Sequence, residues 1–136
     1  MYVQGGCLCS AIRFQITGAP LSSCICHCAT CRRASAAPAV AWISINRAQF
    51  TFVSGVAHCY RSSQGVVRQF CRSCGSQLTY EIATSPNTID VTTVSLDDPI
   101  AYPPTMEVWL DHRLPWQTLN RTLIQFSRWT DVEGLS

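Results

Sequence analysis

Residues 24–33 read Cys24-Ile-Cys26-His27-Cys28-Ala-Thr-Cys31-Arg32-Arg33, four thiols within eight positions followed by two guanidinium groups. Neighbours in C-x-C spacing can be bridged as a disulfide only with strain, whereas a soft divalent metal gathers close thiolates readily. Cys26, Cys28 and Cys31 supply three thiolates in C-x-C-x-x-C spacing. Three protein ligands with one open position is the arrangement a catalytic zinc requires. Three thiolates on Zn²⁺ leave a centre of net charge near −1, a poor Lewis acid but one suited to lowering the pKa of an incoming thiol. That chemistry fits forming or breaking a carbon–sulfur bond, such as addition of a thiol to an aldehyde.

Cys24 opens the opposite reading. It stands two residues before Cys26, and on a strand it would share that residue's face and complete a closed Cys₄ site, which would end the catalytic argument. Spacing alone leaves both readings standing. Arg32 and Arg33 would either offset the anionic centre or grip substrate carboxylates, against the plainer reading of solvated surface side chains. His27 alternates away from its neighbours in an extended segment and reads as a hydrogen-bonded structural residue, while nothing in the sequence supports a catalytic role for His58 or His112. Cys59 is isolated and reads as a small buried hydrophobe. Trp42, Tyr60, Tyr80, Trp109 and Trp116 are expected mostly in the core.

A second set of thiols lies outside this cluster. Gly6-Cys7-Leu-Cys9 runs into Ile12-Arg-Phe14-Gln-Ile16, whose alternation fits a half-buried strand, and strand geometry would aim the sulfurs of Cys7 and Cys9 the same way. Phe70-Cys71-Arg-Ser-Cys74-Gly75 is a C-x-x-C turn with glycine where a metal-binding knuckle needs a positive φ. Cys7, Cys9, Cys71 and Cys74 thus make a closed Cys₄ site, structural because it closes a long loop, with folding energy of about 10 kcal/mol by analogy with zinc-finger peptides. Tetrahedral thiolate sites also accept iron.

The elements that must position these thiols are mostly strands. Residues 30–37 fit one short helix stopped by Pro38, and the remainder is a series of short β-branched or aromatic runs: residues 40–45, 50–52, 58–61, 66–70, 77–82 and 89–94, punctuated by turn residues. Hairpins are the economical arrangement, with Met106-Glu107-Val-Trp109 as a last ordered segment and an extended tail after about Leu119, packed by Phe126 and Trp129. At 136 residues and 47% hydrophobic content, one domain over 1–136 with its core in about 3–118 is expected, and residues 119–136 form the tail.

Composition removes several function classes. All ten basic residues are Arg, so a Schiff-base or phosphate-cradling lysine is excluded. The formal charge of +2 drops to about −1 once seven thiolates hold two Zn²⁺, and no Lys/Arg block is longer than two, which disfavours nucleic acid. The N-terminal residues show no basic and apolar leader pattern, and the longest apolar run, residues 36–43, contains Pro38 and is too short to span a membrane. Nine cysteines with no export signal then fit a reducing cytoplasm.

With these residues in view, Gly6-Cys7-Leu-Cys9, residues 26–33, residues 70–75, Ile89-Asp-Val-Thr, Leu96-Asp-Asp-Pro99 and Pro115-Trp116 resemble the glutathione-dependent formaldehyde-activating enzyme family, which includes centromere protein V, over about residues 3–118. The resemblance implies a small, mainly antiparallel β-tent, a structural zinc on Cys7, Cys9, Cys71 and Cys74, and a catalytic zinc on Cys26, Cys28 and Cys31. It also implies a carbon–sulfur lyase that condenses a small thiol such as glutathione with an aldehyde such as formaldehyde. Two positions depart from the family pattern: Ser10 stands where the motif usually continues with glycine, and Cys24 is an extra thiol. A non-catalytic, zinc-stabilised protein-interaction module is the competing function, and it gains weight if Cys24 closes the second site.

Overall fold

The computed structural model describes residues 2–129 and divides them into two compact units, each discontinuous in sequence: residues 2–22 with Ile43–Tyr102, and Ser23–Trp42 with residues 103–129. The last residues of the expected tail, 130–136, lie outside the described residues.

In the first unit, β1 (Tyr2–Gly6) pairs antiparallel with β2 (Arg13–Thr17), which pairs in turn with β5 (Phe50–Ser54). The alternation of β2 is realised: Phe14 and Ile16 are fully buried, while Arg13 and Gln15 are partly exposed. β1 carries no such signal, because Gly5 and Gly6 replace the apolar positions that would betray it. Gly5 has a packing reason, since a Cβ there would collide with the Phe14 ring and the Ser95 carbonyl. Four further strands form an antiparallel meander, β6 (His58–Ser63), β7 (Val66–Phe70), β8 (Gln77–Ile82) and β9 (Thr88–Thr92). Residues 93–95, expected to continue the last strand, instead turn in a 3-10 helix. The core of this unit joins Ile12, Phe14, Ile16, Phe50, Leu78 and Val91 with two thiols, Cys7 and Cys71.

The second unit is built on β3 (Ser22–Cys26), α1 (Ala29–Ser35), β10 (Met106–Val108) and β11 (Ile124–Gln125). β4 (Val40–Asn46) contributes buried Val40 and Trp42 here and buried Ile43 and Ile45 to the first unit. β10 pairs parallel with both β3 and β11, Met106 standing opposite Cys24 on one side and Ile124 on the other. The mainly β expectation with a single α-helix therefore holds among the described residues, and these parallel pairs make the sheets mixed. Parallel partners need long connections rather than hairpins, and β10 is reached from β3 only after some eighty residues. The expected helix starts one residue early and ends with Ala36 in the left-handed region, φ 53°, just before Pro38. The stretch beyond Leu119 holds β11 and buried Phe126.

Candidate metal centres

The first thiol group closes over 62 positions of sequence. Cys7, Cys9, Cys71 and Cys74 bring their sulfurs within 4.8 Å of one another. Cys7 and Cys9 meet across the tight turn between β1 and β2, not along a strand as the alternation suggested. The Ser10 N–H donates to the Cys7 carbonyl, 3.1 Å, with Ser10 at φ 68°. Cys71 and Cys74 meet in the expected knuckle: the Gly75 N–H donates to the Cys71 carbonyl, 2.8 Å, and Gly75 has φ 77°. Ser76, which the spacing argument did not single out, joins the halves. Its hydroxyl accepts from the Leu8 N–H at 3.0 Å and stands 3.2 Å from the Cys74 sulfur.

Four sulfurs each about 2.3 Å from a common centre lie about 3.8 Å apart on a tetrahedron. Cys7 to Cys9 and Cys9 to Cys71 both measure 3.7 Å, so the group fits a tetrahedral metal such as zinc. All nine cysteines are free thiols. The Ser76 hydroxyl and N–H hold the Cys74 thiol down at about 5. The Ala11 N–H favours the Cys9 thiolate, but the neighbouring sulfurs, Cys7 foremost, outweigh it and push Cys9 up to about 11. A metal would resolve that competition by holding all four deprotonated.

The second group is Cys26, Cys28 and Cys31, again with sulfurs within 4.8 Å. Cys26 ends β3, Cys28 caps the N-terminus of α1, and Cys31 lies in its first turn. The Cys28 sulfur accepts from the Cys31 N–H at 3.3 Å and stands 3.3 Å from the Thr30 hydroxyl. The Cys26 sulfur, then that of Cys31 and these donors, hold Cys28 far below the usual thiol range, whereas Cys28, Cys31 and burial drive Cys26 upward. Cys28 is the half-buried member of the group, while Cys26 and Cys31 are buried. Cys24 is buried on β3 and is not among the gathered thiols.

The other candidate residues fall around these groups. Arg32 gives its Nε to the His27 carbonyl at 3.3 Å, which spends one of its donors inside the loop, and Arg33 is exposed. His27 is buried, with Nε2 2.9 Å from Oε1 of Glu107. His112 accepts the Ala29 N–H on Nδ1, 3.2 Å, and its ring packs on Trp109. His58 meets Phe70 edge to face in the first unit. Cys59 corrects an expectation: it is exposed, because consecutive residues of β6, pointing to opposite faces, are all exposed from His58 to Arg61, and its sulfur accepts from Gln69. Of the five aromatic residues expected in the core, Trp42 alone is buried; Tyr80 and Trp109 are partly exposed, and Tyr60 and Trp116 are largely exposed. Glu107 was passed over, although a lone acid inside Met-Glu-Val-Trp was a visible signal.

The profile of the family described as glutathione-dependent formaldehyde-activating enzyme matches residues 2–112. The chain belongs to that family. Both thiol groups of this formaldehyde-activating-enzyme family member lie inside the matched span, as do Arg32, Arg33, Glu107 and His112. A Schizosaccharomyces pombe protein described as an uncharacterized lyase is 34% identical over 85 residues, 62% of this chain and 61% of that protein. The family member thus spans under two thirds of that relative's length. A crystal structure of a Rhodobacter sphaeroides protein superposes with a TM-score of 0.59 at 20% identity, covering 70% of this chain and 88% of the other, which is a likeness of fold. No helix among the described residues is long and apolar enough to cross a membrane.

Proposed function

We propose that this family member is a zinc-dependent carbon–sulfur lyase that condenses a small thiol such as glutathione with an aldehyde such as formaldehyde at Cys26, Cys28 and Cys31. In the same reading, Cys7, Cys9, Cys71 and Cys74 hold a structural zinc. The observation that carries the proposal is the count and exposure of the second group: three gathered thiols, Cys28 half-buried, and Cys24 outside the set. Cys26, Cys28 and Cys31 would leave a bound zinc one open position, where it would lower the pKa of an incoming thiol toward neutrality.

In the condensation, a sulfur lone pair forms the C–S bond to the carbonyl carbon, the C=O π pair moves to oxygen, and the thiol's proton ends on that oxygen. The chain contributes placement and charge. Cys28 presents its sulfur at the accessible side, the Cys31 N–H and Thr30 stabilise that sulfur's negative charge, and Arg33 is exposed to meet a substrate carboxylate. The absence of lysine and the holo charge near −1 favour small-molecule partners over nucleic acid.

Cys28→Ser tests the reading. It should lower thiol–aldehyde condensation at least about 100-fold and remove one of two zinc equivalents, with far-UV circular dichroism unchanged. Unchanged turnover would sink the proposal. The interaction-module alternative draws on Trp116, 69% exposed. Its signature is two zincs indifferent to glutathione, one of them lost in Cys24→Ala.

A further inference from the structure

Cys28 is flanked by two residues that one short stretch of chain holds. On its N-terminal side, His27, 1% exposed, places Nε2 2.9 Å from Oε1 of Glu107. On its C-terminal side, the Ala29 N–H donates to Nδ1 of His112. Glu107 and His112 are joined through Trp109, whose φ of 60° is a left-handed conformation that a bulky residue adopts only where its surroundings impose it. That turn carries the chain out of β10 and lets its two ends reach both sides of Cys28.

Glu107 is an expensive choice for its position. It is 2% exposed, in a three-residue strand between buried Met106 and Val108. Fold alone would be served by an apolar side chain there, since a buried carboxylate must recover its hydration from fixed donors. It does so completely: Oε1 faces His27, and Oε2 accepts from the Asn120 N–H at 3.2 Å and from the Gln125 side chain at 3.5 Å. His27 is held by three of its polar groups, because its N–H also donates to the Val108 carbonyl at 3.1 Å and its carbonyl accepts from Arg32. The pair ties the His27 ring to β10 through its Nε2 atom. The residue that spaces Cys26 from Cys28 therefore has its ring and backbone fixed from one strand.

We infer that Glu107 is a positioning residue for the Cys26, Cys28, Cys31 group, acting through His27 to hold the loop in which the three sulfurs converge. The inference rests on the proposed function only in that these thiols hold a metal. Partners hydrogen-bonded directly to a metal ligand typically cost 10- to 100-fold in metal affinity when mutated, and Glu107, one residue further out through His27, belongs at the lower end of that range.

Chelator competition on the zinc-loaded protein, with the released metal counted, separates the two groups when Cys28→Ser is used to isolate release from the four-thiol site. Glu107→Gln should weaken the three-thiol site about 10-fold and leave the four-thiol site unchanged, which also reports an intact fold. His27→Leu should do the same, and the double variant should be no worse than either single, as expected of two residues acting through one bond. Unchanged affinity in Glu107→Gln, losses that multiply in the double variant, or equal weakening of both sites would overturn the inference. Should Glu107→Gln fail to fold, the native chain supplies the test: the His27 Nε2 resonance must shift during the same chelator titration in step with the Cys28 Cβ resonance, and an unmoved resonance overturns it. Turnover plays no part in these readings. Two bound metals without thiol–aldehyde condensation would remove the lyase reading and leave the role of Glu107 standing; a native chain that takes one metal would remove both.

Discussion

At the scale of single residues, the turn that carries Cys7 and Cys9 contains a conflict. Ser10 adopts φ 68°, a left-handed conformation natural to glycine, the residue the family motif usually places there. A side chain with a Cβ is strained in that region by about 1–2 kcal/mol, and glycine relieves the strain while adding freedom to the unfolded chain. Ser10→Gly should therefore stabilise the protein by a net of about 0.5–1 kcal/mol in thermal or urea unfolding, with metal content unchanged. A loss of stability would mean that the Ser10 side chain holds the turn. This is also where the sequence was readable by type and not by path. C-x-C and C-x-x-C named the seven thiols, yet an extended strand and a tight turn both bring i and i+2 together, so the pattern alone did not decide between them. Glu107 and Ser76 escaped because their roles lie in partners distant along the chain, at positions 27 and 8.

At the scale of elements, period-two alternation revealed β2, with Phe14 and Ile16 buried, while β-branched and aromatic runs marked β7, β8 and β9, whose buried residues also include Arg68, Thr79 and Thr92. Alternation was silent for glycine-rich β1, and the run at 58–61 marked β6 correctly, although Cys59 and Tyr60 on it are exposed and not in the core. The meander holds a carboxyl displaced from its usual range. Asp90 on β9, opposite Tyr80 on β8, is pushed by burial up to about 6 despite a hydrogen bond from Ser44. A carboxyl whose pKa is higher folded than unfolded favours the folded state while protonated, so its contribution is present below about pH 4 and is lost as pH rises to about 6. Asp90→Asn keeps an acceptor for Ser44 and removes the ionisation. It should flatten stability between about pH 4 and 6 and raise it at pH 7 by on the order of 1–2 kcal/mol. Urea midpoints measured across that window check this; parallel pH curves for the two proteins would show that Asp90 does not titrate there.

At the scale of the whole molecule, the two thiol groups have the same chemistry and very different consequences for the chain. The four-thiol group ties Cys9 to Cys71 across 62 positions and sits against the buried core through Cys7 and Cys71, whereas the three-thiol group spans residues 26–31 only. By the loop-closure relation for cross-links, closing about sixty residues is worth about 4 kcal/mol and closing five about 2 kcal/mol. The gap widens because three thiols so close in sequence can hold a metal in the unfolded chain as well, and binding to the unfolded state cancels stabilisation of the folded one. The four-thiol group exists only when the fold brings its halves together. Cys71→Ser and Cys28→Ser should then each lose one zinc equivalent and diverge in stability. Cys71→Ser should lower Tm by on the order of 10 °C or leave the chain unfolded without added zinc, and Cys28→Ser should lower it by less than about 4 °C. Calorimetry with parallel metal analysis decides it. Equal drops would mean that the short group also stabilises the fold, in line with a closed structural site and against an open one.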